Sequence, residues 1–170
     1  MDFQELAKVR YAAKKFTDEP IPQEKLDLIL EAGRIAPTAA NKQPQRIIVV
    51  TGDKLEIIRE CTANIYGATV AAVVCYDRDE AVKIPVNSVD FGLVDATIVF
   101  TTMMYQAADL DVGTCWIGYF KEEPLREKLQ LPENVVPTGI LIMGIPAEDC
   151  APLPNHTNRK ALEETTCFLS

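Results

Sequence analysis

The sequence predicts an α+β or α/β domain, and three observations carry that expectation. The chain has 170 residues, a length that suits one domain spanning 1–170. Apolar residues make up 48% of it, enough for a sizeable core. Helix-like periodicities alternate with about four β-branched or continuous apolar runs, so helices and strands recur along the whole chain.

The elements follow in order. Phe3, Leu6 and Val9 recur at three-residue spacing and predict a short N-terminal helix. Pro22 opens a second helix, as a residue tolerated in a first turn. Leu26, Ile29 and Leu30 form its inner face, with Ala32 and Gly33 near its end. Ala36 to Gln45 is a small, polar loop carrying two prolines. Arg46 to Thr51 is β-branched and reads as a strand. Asp53 is placed to N-cap a helix running to about Thr62. Thr69 to Tyr76 is continuously apolar, as in a strand covered on both faces. A long helix from near Val89 to near Asp111 carries Val94, Ile98, Thr101, Tyr105 and Ala108 along one stripe. Ala96, Met103 and Met104 add apolar surface elsewhere, and a helix apolar most of the way round belongs in the centre of an assembly. Gly113 is expected to break that helix. Thr114 to Gly118 is extended, Glu122 to Gln130 is helical with Pro124 in its first turn, and Val135 to Gly144 is the last strand. Ala147 to Asn158 reads as loop.

Composition narrows the function. With 17 basic and 25 acidic residues the net charge is −8, which argues against general nucleic-acid binding. The five cysteines are scattered, odd in number and lack a Cys-x-x-Cys, so neither a disulfide framework nor a metal site is expected. A reducing, cytoplasmic location fits that pattern. The N-terminus lacks the basic and apolar blocks of a signal peptide. The apolar stretch from Thr97 to Ala108, flanked by Asp95 and Asp109, is too short to span a membrane. No Gly-x-Gly-x-x-Gly follows a strand, so no separate dinucleotide domain is expected. The single histidine, His156, has no neighbouring base–nucleophile pair in sequence.

Three segments have the residue types of a ligand site. Arg10, Tyr11, Ala12 and Lys14 form a basic cluster, with Lys15 beside it. It reads either as a solvated helix end or as a clamp for an anionic ligand, in which an Arg fork matches phosphate oxygens. The loop Pro37-Thr38-Ala39-Ala40-Asn41 leaves room for close backbone approach and supplies donors and acceptors. Arg159 and Lys160, before Ala161-Leu162-Glu163-Glu164, are either surface charges or a second basic cluster. The lone Trp, Trp116, suits a core or a cofactor platform, and Gly118 allows close backbone approach.

Their order resembles the nitroreductase family of FMN-dependent oxidoreductases. Arg10, Lys14 and Phe16 match its first motif, Arg-Arg-Ser-x-Arg-x-Phe with Lys also seen at the fifth place. Tyr11 and Ala12 depart from it, and Ala12 lacks the hydroxyl that contacts phosphate. Pro37, Thr38, Asn41, Gln43 and Pro44 keep the pattern Pro-Ser-x-x-Asn-x-Gln-Pro-Trp, with Gln45 in place of Trp. Asp90-Phe91-Gly92 is similar to an Asp-x-Gly at the start of the central helix and reads as structural. Gly144-Ile145-Pro146 matches the Gly-x-Pro after the last core strand.

The resemblance implies an α+β nitroreductase-like fold, a mixed and mostly antiparallel sheet flanked by helices, in a homodimer. It implies FMN as cofactor. Arg10 and Arg159, with Lys160 secondary, would hold the phosphate, and Lys14 would stabilise the negative N1/O2 edge of reduced flavin. Pro37, Thr38, Ala39 and Asn41 would reach the FMN bound mainly by the other subunit. Backbone N–H groups of Ile117 and Gly118, next to Trp116, would face N5, and Asn64 would bond the pyrimidine edge. The partners implied are NAD(P)H and a small-molecule electron acceptor such as a nitroaromatic or quinone. Another FMN reaction on this fold, dehalogenation or heterocycle oxidation, is the nearest alternative. A flavin binder without turnover and a dimer that has lost FMN stay open beside it.

Overall fold

The computed structural model describes residues 1–86 and 88–169. Among these, β1 (Gln45–Thr51), β2 (Val70–Asp77), β3 (Gly113–Ile117) and β4 (Val135–Gly144) form one sheet in the order β1-β2-β4-β3. Every pair of neighbouring strands is antiparallel. The helices are α1 (Phe3–Val9), α2 (Gln23–Arg34), α3 (Leu55–Cys61), α4 (Phe91–Asp109), α5 (Glu122–Lys128) and α6 (Leu162–Thr165). The architecture is α+β, with helices on both faces of the sheet. None of the helices is long and apolar enough to cross a membrane.

Side chains alternate across a strand, so each strand serves two cores. Val73, Cys75, Ile140, Ile142, Cys115 and Ile117 pack with Ile58 of α3 and Leu125 of α5. Val74, Ala72, Leu141 and Met143 pack with Ile29 of α2 and with Val99, Phe100 and Met103 of α4. β2 lies between both cores and is buried along its whole length, as its unbroken apolar run requires. A bulge interrupts its pairing with β4 between Val74 and Cys75. Thr138 is the extra residue, next to Pro137, which has no N–H to give, and its hydroxyl donates to the Val74 carbonyl at 2.9 Å.

Two local expectations change. Asp53 does not cap α3: it sits inside a 3-10 turn, Gly52–Lys54, that leads directly into the helix, and its side chain makes no cap bond. Gly113 does not end α4. Asp111 does, in the left-handed conformation at φ 58°. The Val112 N–H reaches the Ala107 carbonyl at 2.9 Å, closing a Schellman turn. Gly113 instead opens β3, where a Cβ would stand 2.8 Å from Pro146. The stripe Val94, Ile98, Thr101, Tyr105 and Ala108 is distinct from the face of α4 that packs within the chain. That face is Asp95, Ala96, Val99, Phe100, Met103 and Ala107. The stripe lies outside it, and Val94 is 41% exposed.

Asp90 behaves as a structural residue. Its carboxylate caps α4 through the Leu93 N–H at 3.2 Å and accepts the Tyr76 hydroxyl at 2.7 Å. Gly92 is required two residues on, because a Cβ there would sit 2.1 Å from the Tyr76 ring.

Candidate functional site

α1 delivers the first basic cluster. Asp2 caps it by accepting the Glu5 N–H at 2.9 Å, and Arg10 closes its last turn. The chain then runs alongside the sheet edge: Ala12 bridges Thr114 in parallel, and the Ala13 N–H donates to the Thr114 carbonyl at 2.9 Å. That pairing carries Lys14 towards the later residues of β3. Lys14 lies close enough to Cys115 to oppose the rise that burial gives its thiol pKa. Lys14 Nζ stands 5.9 Å from the centre of the Tyr66 ring, and the Arg10 guanidinium 6.0 Å from that of Tyr105. Lys15 is spent on an ion pair with Asp149. Among the described residues Arg10, Lys14, Arg159 and Lys160 form no ion pair.

Tyr11 is a structural residue. Its hydroxyl donates to the Cys150 carbonyl at 3.0 Å, and burial, with Cys150 beside it, pushes its pKa up to about 12. The His156 ring meets Tyr11 edge-on and lies 3.0 Å from the Lys8 carbonyl through Nε2. The Arg159 guanidinium bonds the His156 and Asn158 carbonyls. His156 thus brings the tail bearing Arg159 to the end of α1. Lys160 is exposed on the same tail.

β3 sorts its residues by alternation. Cys115 and Ile117 face the α3/α5 core, and Trp116 faces the other. The Trp116 ring stacks on Phe100 with centroids 4.2 Å apart and planes 9° from parallel. Gly139 makes that possible, since a Cβ there would lie 2.5 Å from the indole nitrogen. One face of the half-buried Trp116 ring is therefore taken up by the core. Gly118 differs from Gly139, because a Cβ at Gly118 would meet nothing within 4 Å. The chain's own packing leaves that backbone open. Asn64 is held beside it: the Thr62 hydroxyl accepts the Asn64 N–H at 3.2 Å and donates to the Tyr119 carbonyl at 2.9 Å.

The Pro37–Asn41 loop is built separately. Thr38 is extended, and Ala40, Asn41 and Gln43 are left-handed at φ 47°, 52° and 51°. Gln43 closes the loop, its N–H bonding the Thr38 hydroxyl at 3.0 Å. The Ala39 N–H donates to Asp95 Oδ1 at 2.9 Å. The Asn41 side chain is exposed and makes no hydrogen bond among the described residues. This loop precedes β1, whereas Lys14 and Gly118 adjoin β3. Those are the two outer strands of the sheet, three spacings or about 14 Å apart. Within one subunit the two segments thus lie towards opposite edges of the sheet.

A model of the nitroreductase family matches residues 7–83 and 61–145. The chain belongs to the nitroreductase family. A solved nitroreductase family protein from Clostridium difficile 630 superposes with a TM-score of 0.92 at 35% identity, covering 100% of this chain and 99% of that one. One from Desulfovibrio desulfuricans, provisionally named a nitroreductase and solved in complex with FMN, has a TM-score of 0.83 at 26% identity, covering 98% and 96%. The FMN reductase [NAD(P)H] of Bacillus subtilis is 31% identical over 83% of this chain, which spans 64% of that protein. A Methanothermobacter thermautotrophicus protein, provisionally named NADH dehydrogenase/NAD(P)H nitroreductase, is 31% identical over 88% of this chain and 80% of its own length.

Two residues that touch the candidate segments escaped the sequence reading. Tyr66, beside Lys14, carries no motif. Asp95 did carry a signal, as a lone carboxylate inside an apolar helical run where a buried charge is rare.

Proposed function

We propose that this nitroreductase-family chain is an FMN-dependent oxidoreductase that takes hydride from NAD(P)H and passes it to a nitroaromatic, quinone or similar acceptor. The observation that carries the reading is the course of the basic segment along β3, which sets unpaired Arg10 towards the start of that strand and unpaired Lys14 towards the end where the Gly118 backbone is left open. FMN, when bound, supplies the hydride chemistry at its N5. Arg10 and Arg159 hold the phosphate, with Lys160 secondary. Lys14 offers a point charge to the N1/O2 edge, where negative charge appears on reduction. The N–H groups of Ile117 and Gly118 orient the N5 edge, and Asn64 bonds the pyrimidine edge. Protons come from water, so no side chain is assigned as catalytic acid.

The chain acts as a homodimer in this reading. Phe3 and Ile35 are 67% and 62% exposed, and they flank an apolar groove of about 600 Å³ along the outer face of α4. Contiguous apolar surface of that kind marks an interface. A second copy seated there brings Pro37, Thr38, Ala39 and Asn41 to the flavin of its neighbour. Five free cysteines and the need for NAD(P)H fit the reducing cytoplasm.

The deciding experiment is an absorbance spectrum of protein reconstituted with FMN and desalted, taken before and after anaerobic NAD(P)H. Yellow protein that bleaches supports the enzyme. Yellow protein that does not bleach makes it a passive binder, and colourless protein makes it a dimer that has lost its cofactor.

A further inference from the structure

We propose that Asp95 is the positioning residue of the flavin site, holding the Pro37–Asn41 loop in its binding conformation through the Ala39 N–H. The proposal rests on the reading that this loop contacts FMN. Asp95 is 1% exposed, on the face of α4 that also carries Ala96, Val99 and Phe100. Burying a carboxyl among such neighbours is costly unless its oxygens are matched. Oδ1 is matched by Ala39 at 2.9 Å, whereas Oδ2 is buried with no partner among the described residues. Burial raises the carboxyl's pKa and the Ala39 N–H opposes the rise, as for a group retained for its hydrogen bond rather than its charge. The core gains nothing from this side chain that an apolar one would not supply better.

The loop explains its presence. Ala40, Asn41 and Gln43 adopt left-handed conformations without glycine, and such backbone persists only where its surroundings fix it. Among the described residues, the Ala39–Asp95 bond is the one hydrogen bond that ties residues 37–41 to another element. The other bonds there, Asn41 to Thr38, Lys42 to Ala39 and Gln43 to Thr38 and Asn41, close the loop on itself. Alanine offers no polar side chain, so its N–H is the handle at that point. Asp95 therefore sets where Thr38, Ala39 and Asn41 stand relative to α4, the helix that faces the second subunit in this reading.

Three variants test this through FMN affinity, read by fluorescence quenching, and the visible circular dichroism of bound flavin. Asp95→Asn keeps an acceptor for Ala39. Asp95→Leu removes it. Ala39→Pro removes the donor instead, at a first helical position after an extended Thr38, where proline fits. Asp95→Leu and Ala39→Pro each raise the FMN dissociation constant by about tenfold, the scale of one buried hydrogen bond, and alter the dichroism in the same way. Asp95→Asn stays within about twofold of wild type, and the Leu/Pro double variant is no worse than either single, because both break one bond. Wild-type affinity and dichroism in Ala39→Pro would overturn the proposal even if Asp95→Leu failed to fold. So would an Asp95→Asn as impaired as Asp95→Leu, or single effects that add in the double variant. A wild-type protein that bound no FMN would instead remove the flavin reading itself, and this proposal with it.

Discussion

Lys14 and Lys15 are adjacent, yet only Lys15 has a counter-ion, Asp149. Lys14 lies over Tyr66 beside the end of β3, with its charge free for a ligand. The phosphate of FMN is negative in both redox states, so Arg159 contributes uniform binding, while Lys14 acts where charge appears only on reduction. A charge-assisted contact is worth about 1.5–3 kcal/mol, and roughly 30 mV corresponds to 1.4 kcal/mol for a two-electron couple. Lys14→Met is therefore expected to lower the flavin potential by some tens of millivolts and slow reduction by NAD(P)H, with FMN affinity kept within about tenfold. Arg159→Ala is expected to raise the FMN dissociation constant and leave the potential of bound flavin in place. Spectroelectrochemical titration and a binding isotherm on both variants separate the two roles. If Lys14→Met abolished binding without moving the potential, Lys14 would belong to the phosphate. The cysteines give an independent check at this scale. Burial pushes the Cys75 thiol up to about 12 and raises those of Cys61 and Cys115, whereas Cys167 is exposed. A thiol reagent at neutral pH is expected to label Cys167 first, then half-buried Cys150, and the other three only on unfolding.

At the scale of elements, the junction of β2 with β4 contributes to acid stability. Asp77 ends β2 and accepts the Asp79 N–H at 2.9 Å and the Asn134 amide at 2.9 Å, with Arg46 at 3.5 Å. These partners, the Asp79 N–H first, hold its carboxyl below the usual carboxylate value. A depressed acid contributes stability that is present above its unfolded pKa and lost as pH falls through its lower folded one. Asp77→Asn is expected to be less stable than wild type at neutral pH and to lose less on acidification, as urea midpoints at several pH values would record. Equal acid sensitivity in both proteins would remove Asp77 from the account. The strands were legible in the sequence because their burial is written as β-branched and continuous apolar runs. β2 and β4 appear where Thr69 to Tyr76 and Val135 to Gly144 foretell them. What the sequence hid depends on tertiary contact. Asp111 ends α4 by adopting a conformation usually left to glycine. In the site, Arg10, Lys14 and the Pro37–Asn41 loop were legible as polar exceptions at fixed spacing. The link from Asp95 to Ala39 was not, because it joins residues 56 apart.

For the whole molecule, the arrangement of the sheet decides how a site can be assembled. The loop and the basic cluster adjoin opposite outer strands, and in the proposed homodimer each site takes one of them from each chain. Closed twofold pairing would then build two equal sites per dimer. Sedimentation is expected to show a dimer at micromolar concentration, and a stable monomer that retains FMN would contradict it. Composite sites make a sharper demand. One variant carries Lys14→Met and Arg159→Ala, and a second carries Thr38→Ala and Asn41→Ala. Each alone is expected to be nearly inactive as a homodimer. When the two are unfolded together and refolded at equal amounts, half of the dimers pair unlike chains. In each of those, one site combines both altered halves and the other combines both wild-type halves. Activity of the mixture should therefore recover to about a quarter of wild type, the fraction that twofold pairing dictates. A site contained within one chain would have one altered half in every copy, so mixing would restore nothing. Absence of recovery, with hybrid dimers demonstrated by native mass spectrometry, would place the whole flavin site, loop included, on a single subunit.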